Sequence, residues 1–128
     1  MRRLAVPCAL LLAAAGCGGG DGGNPSRTVT TAAGGTVTIS ADEYRFDPDR
    51  VVVRGPGALR IVLRNDGSVA HDIRLRRGGK DVGGTPSFAP GGSMAARVSL
   101  KPGTYEMLCT VGDHAQLGMR GTLTVKER

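Results

Sequence analysis

From Gly35 onward the apolar residues recur at every second position, and no stretch carries a helical stripe of useful length. Val37 and Ile39 alternate with Thr36, Thr38 and Ser40. Met94, Ala96, Val98 and Leu100 alternate with Ala95, Arg97 and Ser99. Val51-Val52-Val53 is a short apolar run bounded by Asp47-Pro48 and Gly55-Pro56-Gly57. Ile61 and Leu63 precede Asn65-Asp66-Gly67, a strong turn signal, and Lys101-Pro102-Gly103-Thr104 is another. About seven or eight short strands at this spacing predict an all-β fold, a β-sandwich of Greek-key type. The aromatic residues are only Tyr44, Phe46, Phe88 and Tyr105, so Val, Leu, Ile, Met and Ala must supply the core. A chain of 128 residues has room for one such domain.

The N-terminus reads as an address. Met1-Arg2-Arg3 gives a charged start, and Leu4 to Ala15 is an apolar run too short for an ordinary membrane span. It ends in Ala14-Ala15-Gly16-Cys17, followed by glycines, and resembles a bacterial lipoprotein signal, with Ala14 where Leu is usual. Residues 1–16 are then the signal, Cys17 carries lipid, 17–34 form a flexible Gly/Ser/Thr tether, and 35–128 form the domain. The expected location is the outer face of a bacterial cell membrane, on the periplasmic side or the cell surface. Cys8 leaves with the signal and Cys17 is modified, so Cys109 is the only thiol of the mature domain and no internal disulfide can form. An unpaired thiol in an exported protein is a liability, and metal ligation would protect it.

Cys109, His114 and Met119 fall within one eleven-residue stretch. A thiolate, an imidazole and a thioether together suit copper, and a type-1 site needs a second His. The chain has only one other, His71. Alternation puts Val69, His71, Ile73 and Leu75 on one face and Asp72, Arg74 and Arg76 on the other. It likewise puts Tyr105, Met107 and Cys109 opposite Glu106, and Met119, Gly121, Leu123 and Val125 opposite Arg120, Thr122 and Thr124. Three of the four candidates are thus expected to face inward at strand ends, while periodicity is silent on His114. Taken singly, each has a plainer reading: a core His, a small buried hydrophobe, a core Met and a loop His. Zinc would also accept Cys and two His, with Asp113 or water as fourth donor. A Cys–His nucleophile would need a third group to orient the His, and Asp113 is poorly placed for that.

Tyr105-Glu106-Met107-Leu108-Cys109, then His114, then Gly118-Met119-Arg120-Gly121-Thr122-Leu123-Thr124-Val125 resemble the cupredoxin family of small blue-copper proteins. Phe46-Asp47-Pro48, Val51-Val52-Val53, Asn65-Asp66-Gly67 and His71-Asp72-Ile73 are similar to that family's approach to its first His. The resemblance implies one copper ion, Cu(I)/Cu(II), with His71, Cys109 and His114 in the plane and Met119 on the axis. It implies one-electron transfer with His114 as the port. Beside it Leu117 and Gly118 are expected to form a small apolar docking patch, and Val69, Ile73, Met107 and Leu123 an apolar shell that limits water. Asp72 replaces the Asn usual after the first His, whose side chain ties the ligand loops together. Gly112-Asp113 replaces a common Pro-Gly, which leaves the loop less stiff. No enzymatic turnover is expected, since an oxygen-reducing copper cluster needs many more His than two. Copper delivery, storage or sensing is the alternative role.

The net charge is +6, from 17 basic against 11 acidic residues. The basic residues are scattered apart from Arg74, Arg76 and Arg77, with no aromatic residues interleaved, which argues against nucleic acid. Positive charge instead fits an acidic redox partner or an anionic membrane surface. The domain is expected to be a monomer.

Overall fold

Ten strands pack as two sheets in the computed structural model, which describes residues 25–128. In chain order they are β1 (Thr28–Thr31), β2 (Thr36–Asp42), β3 (Arg45–Asp47), β4 (Arg50–Val53), β5 (Gly57–Asn65), β6 (Arg74–Arg77), β7 (Lys80–Gly84), β8 (Ser93–Leu100), β9 (Gly103–Leu108) and β10 (Arg120–Val125). One sheet has the order β1-β4-β10-β9-β6-β7 and the other β3-β2-β5-β8. Pairing is mostly antiparallel, but β1 with β4, β4 with β10 and β2 with β5 run parallel. The all-β sandwich is as the alternation predicts. The signal residues and Cys17 lie outside the described residues.

The core lies between the sheets. Ile39, Leu59, Ile61 and Leu63 of the four-stranded sheet and Leu75, Met107, Leu123 and Val53 of the six-stranded sheet are all at most 2% exposed. Each such side chain stabilises the fold by roughly 1.5–3 kcal/mol through removal from water. The outward positions between them are Thr and Ser in β2 and Arg60, half-buried Val62 and Arg64 in β5, so the period of two in the sequence is the inside–outside alternation of the sandwich.

Three strands exceed the expected number because they carry little alternation of their own. β3 is three residues long, and β7 is Lys-Asp-Val-Gly-Gly with no buried side chain. Gly78 and Gly79, at φ 58° and 77°, make the tight turn that folds β7 back on β6. The third, β1, lies inside the stretch assigned to the tether. Its Thr-Val-Thr-Thr pairs in parallel with Arg50–Val53, and just before it Ser26 Oγ and the Arg27 N–H donate to the Asp49 carboxylate. Threonine suits a half-exposed edge strand as well as a linker, and composition alone does not separate the two.

Asn65-Asp66-Gly67 does turn the chain, but into a crossing between sheets and not into a hairpin. Asn65 Oδ1 accepts from Gly67 N (3.1 Å), and its amide donates to the carbonyls of Val69 (2.9 Å) and Phe88 (3.0 Å). This buried amide delivers residues 66–73 from β5 to β6, on the opposite sheet. Residues 66–72 are therefore irregular, and two expectations fail there: Val69 is 39% exposed and Asp72 is buried. His71 nevertheless points inward, because an isolated antiparallel bridge with Phe88 fixes its backbone (His71 N to Phe88 O 3.3 Å, Phe88 N to His71 O 3.1 Å).

Candidate metal centre

β9 delivers Cys109 to the end of the sandwich. The ladder with β10 continues one step beyond both strands, as Cys109 N donates to Met119 O (3.2 Å). The loop between them is closed by its own backbone: His114 N bonds Val111 O, Leu117 N bonds Asp113 O and His114 O, and Met119 N bonds His114 O, all at 3.1 Å. Met119 is thus tied through its main chain to both Cys109 and His114, and its side chain is fully buried. Gly112 and Gly118, at φ 47° and 112°, occupy backbone conformations that let so short a loop turn.

His71, Cys109 and His114 meet here. Their ligand atoms all lie within 4.8 Å of one another. Cys109 Sγ is 4.0 Å from Nδ1 of His71 and 3.5 Å from Nδ1 of His114, so both rings turn the same nitrogen to the one sulfur. The ring centroids are 5.0 Å apart. Burial pushes the Cys109 thiol above its ordinary pKa, and the N–H groups of Asp72 and Val111 pull it back. Those two N–H donors favour sulfur in its charged form, the form a metal takes.

Asp72 does the work the resemblance assigned to an Asn, by a different bond. Its carboxylate accepts from Thr110 N (2.7 Å) and from the Thr110 hydroxyl. Both partners on Thr110 are donors, so an acceptor-only side chain fits and no amide is required. The carboxylate turns inward to reach them, which is why Asp72 is buried where strand alternation placed it outside. This ties the His71 segment directly to the residue after Cys109.

His114 belongs to a surface loop, yet the residue is only 8% exposed. Tyr44 covers it, with ring centroids 4.8 Å apart and planes tilted by 55°. Leu117 beside it is 52% exposed and Tyr44 37%, so a small apolar patch surrounds the edge of His114. Ile73, Met107 and Leu123 are fully buried in the same core cluster as Cys109 and Met119, whereas Val69 is 39% exposed and outside it. Sequence reasoning missed Glu43 and Tyr44, which lie between β2 and β3 and touch His71 and His114 respectively. Neither residue carries a local signal, because only the packing of that turn against the ligand loops brings them in.

The donor set fits copper. One buried thiol, two imidazoles facing it and a buried Met whose backbone is hydrogen-bonded to Cys109 and His114 make the composition of a type-1 site. Among the described residues this is the one group of three or more His, Cys, Asp or Glu that gathers in this way, and it includes no carboxylate as a fourth charged ligand for zinc. Asp113, the candidate fourth donor, is outside the cluster.

Fold and site define a blue-copper type of β-sandwich. The cupredoxin-like domain profile matches residues 7–125, and the chain belongs to that family. It is 25% identical over 105 residues to the copper-resistant cuproprotein CopI of Rubrivivax gelatinosus, a match that takes in 69% of this chain and spans 64% of the relative's length. Among solved structures, reduced auracyanin from Roseiflexus castenholzii superposes with a TM-score of 0.65 at 24% identity, covering 70% of this chain and 95% of auracyanin. Auracyanin A, a blue copper protein from Chloroflexus aurantiacus, superposes with a TM-score of 0.66 at 21% identity, covering 75% of this chain and all of that protein. Both likenesses speak to the fold.

Proposed function

We propose that this chain is an exported type-1 copper protein that carries one electron at a time between redox partners at a membrane surface. The observation that carries the reading is the convergence of both Nδ1 atoms on one buried thiol, all three ligand atoms within 4.8 Å. His71, Cys109 and His114 would hold copper, with Met119 as a fourth, thioether donor. Bound there, copper supplies a one-electron Cu(I)/Cu(II) couple. The chain's part is to keep the ligands in place: the Phe88 bridge holds His71, the Asp72–Thr110 tie holds the two segments together, and the loop's internal bonds hold His114 and Met119. A site so braced leaves little to rearrange on electron exchange, and the buried Ile73, Met107 and Leu123 exclude water from it. The apolar rim of Tyr44 and Leu117 offers a contact surface for a partner, and the basic charge, +4 once the signal's Arg2 and Arg3 are gone (15 basic against 11 acidic), favours an acidic one. No substrate turnover is assigned to it.

The visible spectrum of the copper-loaded domain tests this. An intense thiolate-to-copper band is expected, absent in Cys109→Ser and shifted in Met119→Gln; a colourless copper-loaded protein would refute it. A second reading, copper handling, is favoured by the likeness to a copper-resistant cuproprotein. Fast copper transfer to a chelator together with slow electron self-exchange would select that role, and the reverse selects electron transfer. Export and lipid on Cys17 rest on the signal-like N-terminus, and mass spectrometry of the protein from membranes checks them.

A further inference from the structure

The His71 ring is fully buried and uses both nitrogens. Nδ1 faces the Cys109 sulfur, and Nε2 lies 3.3 Å from Glu43 Oε1. That same oxygen accepts from the N–H groups of Ser68 (2.7 Å) and Val69 (3.0 Å), so two N–H groups and the His71 ring nitrogen converge on one atom. Glu43 is 28 residues from His71 in sequence and reaches it from the turn between β2 and β3. Space for the pair is made at Gly67, where a Cβ would stand 2.5 Å from Glu43 Oε1 and 2.9 Å from His71 Nε2. A glycine here lets carboxylate and imidazole meet, so the contact is built into both segments.

We propose that Glu43 is a positioning residue for His71, holding it as the Nε2–H tautomer with the Nδ1 lone pair free for metal, and that its charge lowers the reduction potential of the centre. This rests on the type-1 reading above. A neutral imidazole that gives its one N–H to a carboxylate must present the other nitrogen as an acceptor, and the carboxylate makes that nitrogen a better donor to metal. Negative charge behind a ligand favours the more positive oxidation state, Cu(II). The Glu43 side chain is 28% exposed, so solvent moderates the charge without removing it. The next residue, Tyr44, packs on His114, so a single two-residue turn backs both imidazoles.

The test compares wild type with Glu43→Gln, Glu43→Ala and Gly67→Ala by two readouts: nitrogen-15 NMR of His71 in metal-free protein and voltammetry of copper-loaded protein. Glu43→Gln keeps an acceptor oxygen and loses the charge. His71 should remain the Nε2–H tautomer, while the ratio of Cu(II) to Cu(I) affinity falls about tenfold, a rise of about 59 mV for one electron. Glu43→Ala should raise the potential and also lose the tautomer preference, with Cu(II) affinity down roughly 10- to 100-fold. Gly67→Ala keeps the charge but displaces the oxygen, and should lose the tautomer preference. A wild-type His71 protonated on Nδ1, or a potential unchanged or lowered in Glu43→Gln, overturns the proposal. The tautomer is read without copper, so a wild type lacking the thiolate-to-copper band would defeat the type-1 reading separately.

Discussion

The tie between Asp72 and Thr110 is expected to be the most costly surface-proximal contact to remove. Asp72→Ala deletes two hydrogen bonds to a carboxylate, one from the Thr110 N–H and one from its hydroxyl. Hydrogen bonds to a charged group contribute about 1.5–3 kcal/mol each. Asp72 is 5% exposed but Thr110 lies at the surface, so water re-solvates part of what is lost, and about 2–4 kcal/mol of destabilisation should remain. For a domain of this size that is a fall of roughly 10–20 °C in Tm. Asp72→Asn keeps an oxygen for Thr110 N and can donate its amide to the Thr110 hydroxyl oxygen, so it should cost only about 1 kcal/mol. The assay is urea unfolding of the metal-free domain for Asp72→Ala, Thr110→Val and the double variant. The cycle should return a coupling of about 1 kcal/mol, since Thr110→Val removes the hydroxyl bond and spares the N–H bond. A loss below about 0.5 kcal/mol in Asp72→Ala, or zero coupling at unchanged m-value, would refute the argument that this carboxylate joins the two segments.

Two further outcomes follow from packing and charge. Gly121→Ala should destabilise the domain by about 2 kcal/mol or more, because a Cβ there would stand 2.4 Å from Asp49 O and 2.7 Å from Met107 Cε, forcing β4 away from β10; thermal unfolding measures it. Asp81 accepts from Arg74 (2.7 and 2.9 Å), which holds its carboxyl below the ordinary carboxylate range. A folded pKa below the unfolded one adds stability above the ordinary carboxylate pKa and loses it as pH falls through the folded value. Asp81→Asn should therefore cost about 0.2–1 kcal/mol at pH 7, a small figure because the side chain is 44% exposed, and the gap to wild type should close in acid unfolding titrations.

Long alternating strands were legible because burial is their cause: Val37 and Ile39, Ile61 and Leu63, Leu123 and Val125 lie inside as their spacing requires. The three ligands of the metal cluster were legible because the chain has so few donors of their type to choose from. The alternation drawn through residues 69–76 was partly mistaken, since the Asn65 amide bends 66–72 out of any strand and exposes Val69. In β8 the same rule weakens toward the edge: Val98 and Leu100 are buried but Met94 is 36% exposed. β7 is an edge strand with no buried side chain, and β1 owes its pairing to β4, distant in sequence, so their own polar residues announce nothing. Glu43 and Tyr44 were invisible for the same reason, being placed by the turn between β2 and β3 against segments far along the chain.

The parallel pairing of β1 fixes the end at which the chain enters the sandwich. β1 runs with β4 and β10, and β10 starts at the residue after Met119, so the polypeptide enters the sandwich at the copper end. Pro25 and Arg27 border the same cleft as Tyr44, Leu117 and Gly118. From Cys17 to Pro25 the backbone can stretch at most about 29 Å. If Cys17 is lipidated as proposed, that graft would act as a short leash, keeping the pole that carries His71, Cys109 and His114 turned toward the bilayer. Partners of the proposed electron carrier would then have to meet it in the thin aqueous layer next to the lipid headgroups.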